Sequence, residues 1–419
     1  MKKIIIFILI ISGILAAETL DFETAVNIAL ENNLSIKMAE NGLQMTRNLV
    51  NPGVLLPGLS LNGNSNYSNT DAFSQQDYER HVNSASLSTS YTLFSGFYVL
   101  NSYKKLKLQH SQSELETRYT IETIIAAMAQ TYYSLANAQE QLQLARENLQ
   151  LSGERLKRTQ EQEKVGRINK VAMLAAEVDY IRDSISVETA RLNYENSLRN
   201  LNVMLNRKVD AAYDIDKEVT LLTLPEYEEL KSSAFEKNAD YLAMQYGIDL
   251  ARLDLKLAQS GYFPTLNLSG SYGLSQTNSE FDPGISDADK IWNVGLSLNF
   301  SLFNGFQRKV KQQNAKISLD NQRLALEQTK LNLDKQIASQ YTTYVNSKKT
   351  LEMEKLSLSA SEANFERSRE LYELGQVTST QFREAQLNLM RAKSNISAGK
   401  YNVKLNEIAL LQSAGLLLD

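Results

Sequence analysis

Residues 263–306 read FPTLNLSGSYGLSQTNSEFDPGISDADKIWNVGLSLNFSLFNGF. In the first arm Leu266, Leu268, Gly270, Tyr272 and Leu274 fall on one side of a period-two strand, opposite Asn267, Ser269, Ser271, Gly273 and Ser275. The second arm sets Trp292, Val294, Leu296, Leu298, Phe300 and Leu302 against Asn293, Gly295, Ser297, Asn299 and Ser301. Each arm is about ten residues long, enough to cross a hydrocarbon layer as a tilted strand. One face is apolar and aromatic; the other is small, polar and uncharged. A strand with lipid on one side and a water-filled lumen on the other needs this pattern. A hairpin in a soluble sheet alternates in the same way, so one hairpin does not decide the matter.

A second copy does. Residues 56–68 read LPGLSLNGNSNYS, with Leu59, Leu61 and Tyr67 against Ser60, Asn62, Asn64, Asn66 and Ser68. Residues 85–97 read ASLSTSYTLFSGF, with Leu87, Tyr91 and Leu93 against Ser86, Ser88, Ser90 and Thr92. The turn LFSGF at 93–97 returns as LFNGF at 302–306. The chain contains one unit twice, with expected strand pairs at 59–68 and 85–94, then 265–275 and 292–302.

Composition narrows the function. The 419 residues include five prolines, all at junctions or in loops, and no cysteine. There is accordingly no disulfide frame, thiolate metal site or lipid-modified cysteine. The two histidines, His81 and His110, stand too far apart in sequence to suggest a metal or catalytic cluster. Met1–Ala17 has the form of a secretory signal: Lys2 and Lys3, an apolar run from Ile4 to Leu15, then Ala16-Ala17. With Lys2 and Lys3 removed the net charge falls from −4 to −6, which argues against nucleic acid as a partner. No later run of eighteen apolar residues exists, so a membrane crossing would have to use strands.

The first repeat, 18–206, opens LDFETAVNIALENN, a helix from about Leu20 to Val50 with Asp21 as N-cap. After the strands, Tyr98–Lys164 has a single glycine and no proline. Ile121, Ile125, Met128, Tyr132, Leu135, Leu142 and Leu149 form a coiled-coil-like seam along it. Residues 165–169 break this helix, and Lys170–Asn206 returns. A linker or small equatorial side structure at 207–225 precedes the second repeat, 226–419: a helix to about Ser260, the strand pair, a helix from Gln307 to Leu374, a break at 374–378, and a return from Thr378 to Ala414. Leu324, Leu331, Ala338 and Val345 run in sevens, as do Tyr344, Leu351 and Leu358. A return helix stacked on a pre-strand helix matches one long helix, about 100 Å at 1.5 Å per residue.

The implied fold class is a membrane β-barrel joined to a long α-helical barrel, with four strands per chain. Four strands leave two edges unsatisfied in lipid, so the barrel closes between chains. Eight strands give a filled interior and twelve can leave a channel; physics alone does not choose the number. The sequence has no G-x-S-x-G, phosphate loop, H-E-x-x-H or dinucleotide fingerprint. The paired Glu228 and Glu229 read as a solvated helix face. No enzyme, cofactor or metal is expected. The rival function is a non-transporting trimeric coiled-coil envelope protein or adhesin, which has no use for lumen-facing Ser/Asn strands.

The signal segment, the LDFETAVNIALENN opening, the hairpins with LFSGF and LFNGF, and the breaks KVGRIN and ELGQVT together resemble the TolC family of outer-membrane factors. The resemblance spans essentially all of the mature chain. It implies a homotrimer with a twelve-stranded outer-membrane barrel, set in outer-membrane lipid, and a coiled-coil tunnel in the periplasm. It implies as partners a periplasmic adaptor (membrane fusion) protein and an inner-membrane RND, MFS or ABC transporter, in efflux or type I secretion. Adaptor docking is then expected at Val165-Gly166 and Leu374-Gly375. Tyr372 matches a tyrosine that helps close the entrance. Gln381 and Glu384 match two acidic positions of the family's selectivity ring, and only Glu384 keeps its charge. The family's basic partner is Val377 here and its first-repeat acid is Ala172, so other contacts hold this gate.

Overall fold

A computed structural model describes residues 19–70 and 78–418. The expected signal segment and residues 71–77 of the first strand loop lie outside it. In chain order the elements are β1 (Thr19–Leu20), α1 (Phe22–Asn32), α2 (Leu34–Leu49), β2 (Gly58–Thr70), β3 (Tyr78–Phe94), α3 (Tyr98–Lys164) and α4 (Lys170–Met204). Then follow β4 (Asp214–Ile215), α5 (Tyr227–Lys237), α6 (Ala239–Ser260), β5 (Thr265–Asn278), β6 (Asp289–Asn299), α7 (Gln307–Glu373) and α8 (Ser379–Ser413). Helices α3 and α7 are each 67 residues long, because nothing in those stretches interrupts the hydrogen-bond ladder. No helix among the described residues is long and apolar enough to cross a membrane.

Two expectations need correction. The pre-strand helix of each repeat is broken: α1 stops at Asn33 and α5 at Asn238, both with extended backbone at the cap. The Asn33 amide donates to the Met204 carbonyl and the Asn238 amide to the Ser413 carbonyl, each at 3.0 Å. Tertiary bonds to the ends of α4 and α8 thus replace helix continuity. The last strand also ends at Asn299, so Phe300 and Leu302 are not part of it. There the chain turns toward α7, and Arg308 donates to the Ser301 carbonyl.

Contacts divide the chain into two compact units, each built from both repeats. The unit of Asn41–Glu116 and Tyr241–Lys330 holds one antiparallel sheet in the order β2-β3-β5-β6. Its register aligns the sequence alternation into rows across all four strands. Leu61, Leu87, Tyr272 and Trp292 form one row, and Ser60, Ser88, Ser271 and Asn293 the neighbouring row on the opposite face. A register shift between Thr92 and Phe94 sets Phe94 against Leu266. Near its loop end the apolar face turns polar, and the β5–β6 loop folds over it. Phe281 stacks on His81 at 4.7 Å, Asp282 N–H donates to His81 Nδ1, and the Asn83 amide donates to the carbonyls of Asp282 and Gly284.

The other unit comprises residues 19–40, Thr117–Asp240 and 331–418. Its core joins Ala25 and Ala29 of α1, Met128, Tyr132 and Leu135 of α3, Leu201 of α4 and Ile408 of α8. The linker is not loose: β4 pairs in parallel with β1, and Tyr132 Oη donates to the carbonyls of Leu20 and Asp216. The helices lie in the order α4-α3-α8-α7. Arg155 of α3 meets Asp179 of α4, Gln386 of α8 meets Asn148 of α3, and Phe382 of α8 stacks on Phe365 of α7. The two expected α7 rows differ in burial. Tyr344 and Leu351 are buried in the chain, whereas Leu324 and Leu331 are more than 60% exposed.

Candidate functional site

Lumen-facing chemistry is written on one face of the sheet. Asn62, Ser86, Ser88, Ser90, Asn267, Ser269, Ser271, Asn293 and Ser297 share it, and on this face the described strand residues carry charge only at Arg80 and Asp289. The opposite face exposes Leu59, Leu61, Tyr272, Trp292, Val294, Leu296 and Leu298. An apolar-aromatic outside and a polar inside are what a lipid-embedded barrel requires. Strands β2 and β6 are edges, each with one row of backbone groups unpaired in the chain.

At the two helical-hairpin ends the chain reverses identically. Arg167 N–H donates to the Gln162 carbonyl and Gly166 N–H to that of Glu163; Gln376 and Gly375 repeat the pattern onto Leu371 and Tyr372. This double bond pattern requires a left-handed residue, and Gly166 and Gly375 take φ of 72° and 75°. Among the described residues, chain neighbours aside, nothing approaches within 4 Å of a β-carbon placed at either glycine. Val165 and Leu374 beside them are about 70% exposed, so both turns present an apolar side chain next to open backbone.

Of the expected gate residues, Tyr372 sits in a built environment. Its ring lies parallel to Phe382 at 4.7 Å, and the Arg158 guanidinium lies over the same Tyr372 ring, 4.9 Å from its centroid. Arg158 also donates to the carbonyls of Tyr372 and Glu373, at 3.2 and 2.8 Å. A cation from α3 thus contacts Tyr372, while Val377 packs against the Phe365–Phe382 cluster. Gln381 closes a capping box with Thr378, its Oε1 accepting from the Thr378 N–H at 2.9 Å. Glu384 is exposed, and Arg383 and Lys393 pair instead with Asp183 and Glu147.

The sequence matches the family described as Outer membrane efflux protein over residues 25–207 and 230–416. The chain belongs to that family. It is 23% identical over 381 residues to "Outer membrane protein TolC" of Escherichia coli K12, covering 87% of this chain and 75% of that one. It is 23% identical to the "Probable outer membrane lipoprotein SilC" of Salmonella typhimurium, covering 92% and 84%. The fold matches the Campylobacter jejuni CmeC outer membrane channel with a TM-score of 0.83 at 18% identity, covering 94% of this chain and 86% of that one. This efflux protein shares with such channels the duplicated helical fold that closes as a trimer, which turns four strands into twelve.

One constellation in the efflux protein escapes sequence reading. Arg383 of α8 makes a two-pronged ion pair with Asp183 of α4, both bonds at 2.8 Å, and its Nη1 also donates to Ser152 of α3. Ser152 donates in turn to Asp183, and Arg155 pairs with Asp179 at 2.5 Å. Arg383, Asp183, Ser152 and Arg155 are all buried. These contacts clasp the α7–α8 hairpin to the α3–α4 hairpin. The available signal is spacing: Ser152 and Arg155, and Asp179 and Asp183, stand three and four apart, so each pair shares a helix face. Among the described residues no cluster of His, Cys, Asp and Glu could hold a metal ion.

Proposed function

We propose that this efflux protein is the passive exit duct of a tripartite pump or type I secretion system. A periplasmic adaptor engages its two glycine turns, and an inner-membrane transporter of the RND, MFS or ABC class supplies the cargo. The observation that carries the reading is the sheet: one polar face charged only near its loop end, at Arg80 and Asp289, one apolar face and two edge strands. A coiled-coil spacer needs neither face. Trimer closure is further supported on the helical side, where the edge helix α4 exposes Val171, Leu174, Val178, Ile181, Ile185 and Leu192 at heptad spacing. The edge helix α7 exposes Leu331, Met353 and Leu356. These stripes suit the facing edges of neighbouring copies.

In this reading Val165, Gly166, Leu374 and Gly375 form the docking surface, because exposed left-handed turns admit close backbone approach. Tyr372, held by Arg158, closes the entrance, and Gln381 and Glu384 line it. The protein lies in the outer membrane, with residues 1–17 acting as its export signal. The duct itself is tested by single-channel recording of purified trimers in planar bilayers, where a steady water-filled conductance is expected and an electrically silent protein overturns the reading. Docking is tested with Gly166→Glu and Gly375→Glu, expected to abolish export while folded trimers persist. Normal export by those trimers places docking elsewhere.

A further inference from the structure

Helices α3 and α7 both leave the same end of the sheet, since β3 and β6 each run antiparallel to β5. Both begin with unusual charge. From Tyr98 to Ser113 α3 carries Lys104, Lys105 and Lys107 and no carboxylate; from Gln307 to Leu319 α7 carries Arg308, Lys309, Lys311 and Lys316 and no carboxylate. A helix start has a positive dipole end that favours acids within its first turn, so Arg308 and Lys309 oppose the local stability of α7. Neither first turn contains an acidic residue to offset them.

Some of this charge is used within the chain. Lys105 pairs with Asp254 at 2.5 Å, Lys107 lies 4.7 Å from the Tyr103 ring, and Arg308 donates to the Gly261 carbonyl at 3.2 Å. Lys104, Lys309, Lys311 and Lys316 are exposed and have no ion-pair partner among the described residues. Immediately before them stand the exposed rings of Phe97, Tyr98, Phe303 and Phe306, continuous with the apolar face of the sheet. An open groove of about 470 Å³ lies beside them, lined by Val54, Leu56, Tyr91, Leu93, Phe97 and Leu100. The loop end of the sheet has the opposite sign, with Glu79, Glu280, Asp282, Asp287 and Asp289 against Arg80 and Lys290.

We infer that Lys104, Lys309 and Lys311 form a collar that binds anionic phospholipid head groups of the leaflet on the helix side. The inference rests on the sheet lying in a membrane. Distances along the helices support it. Lys104 lies about 9 Å beyond Tyr98, and Lys309 and Lys311 about 3 and 6 Å beyond Gln307. Head groups extend about 6 Å beyond the hydrocarbon, and the Debye length adds about 8 Å. All three ammonium groups therefore sit within reach of a phosphate layer. The aromatic rings mark the boundary between tails and head groups, and the groove offers acyl chains a place beside the collar.

The test uses full-length trimers reconstituted in vesicles of mixed phosphatidylglycerol and phosphatidylethanolamine, extracted gently, with retained lipids counted by mass spectrometry. The native protein is expected to enrich phosphatidylglycerol over its bulk share, by up to about fivefold for each lysine. Lys104→Gln/Lys309→Gln/Lys311→Gln should return the ratio toward bulk with conductance unchanged, while the corresponding arginine variant keeps the enrichment. Equal ratios for native protein and glutamine variant, or a native ratio equal to bulk, overturn the collar. Should the glutamine variant not assemble, the native protein decides: enrichment must fall when salt shortens the Debye length to about 3 Å, and constancy overturns the inference. A silent bilayer recording with intact enrichment would instead count against the duct, so the two failures are distinguishable.

Discussion

Asn33 and Asn238 hold the same station in the two halves of the chain. Each is 8% exposed, each ends a short helix, and each donates its side-chain amide to the last residue of the return helix, Met204 or Ser413. The bond satisfies a carbonyl that a helix end otherwise leaves open, and it fixes where the pre-strand helix meets the return helix. Asn33→Ala or Asn238→Ala leaves that acceptor buried without its donor, at a cost of about 1–3 kcal/mol. Urea unfolding followed by helical circular dichroism should show each loss separately. Their sum is expected in the double variant, because the two sites share no partner.

These two residues also mark where sequence reading stops. The 67-residue helices are legible because proline is absent from both and glycine occurs once, at Gly153, where a lone glycine does not break a helical pattern. The strand faces are legible because a period of two survives any tertiary setting. Asn33 gives no such warning: asparagine lowers helix propensity by only a fraction of a kcal/mol, and its decisive partner is 171 residues away. The same holds for Arg383, whose charge suggests solvent while Asp183 and Ser152 draw it into the helix contact. Tyr372 is singled out only through family resemblance. Its partner Arg158 lies on another helix, where no local pattern announces it.

Leu268 and Leu296 face each other across β5 and β6, as Ser269 and Gly295 do on the opposite face. Arginine at the midplane of a barrel's lipid face costs about 2–4 kcal/mol, and much less in a lumen. Leu268→Arg and Leu296→Arg should deplete outer-membrane trimers, while Ser269→Arg and Ser297→Arg assemble. The readout is the heat-resistant trimer band from isolated outer membranes. Equal assembly of both pairs would reverse the strand faces.

Removal of one member of the Arg383–Asp183 pair strands a buried charge. Arg383→Ala or Asp183→Ala is expected to destabilise by about 3–5 kcal/mol, whereas Arg383→Met/Asp183→Leu, which replaces both charges with apolar volume, recovers most of that. Denaturant midpoints of the native protein, Arg383→Ala, Asp183→Ala and Arg383→Ala/Asp183→Ala form the cycle. Additive losses in the double variant would mean that the two side chains act separately.

Glu140 gives stability a pH dependence. Burial works to raise its carboxyl, yet hydrogen bonds from Lys400, Ser397 and Tyr401, with the Lys400 charge, hold it below the usual glutamate range. Lys400 Nζ lies 2.5 Å away and Tyr401 Oη 3.0 Å. The Tyr401 hydroxyl is itself pushed well above its ordinary value, first by burial and then by Glu140, so it remains a donor throughout the neutral range. A carboxyl that releases its proton more readily when folded stabilises the native state fully above the unfolded value, about 4.3. That contribution disappears as pH falls through the lower native value. Tyr401 acts at the other end: its contribution is complete below about 10 and declines above it, as the unfolded chain loses the proton first. Glu140→Gln should lower stability at pH 7 and flatten the acid limb of a stability–pH curve, while Tyr401→Phe flattens the alkaline limb. Thermal melts across the pH range would show both, and a Glu140→Gln curve parallel to the native one down to pH about 3 would mean that the carboxylate contributes no linkage.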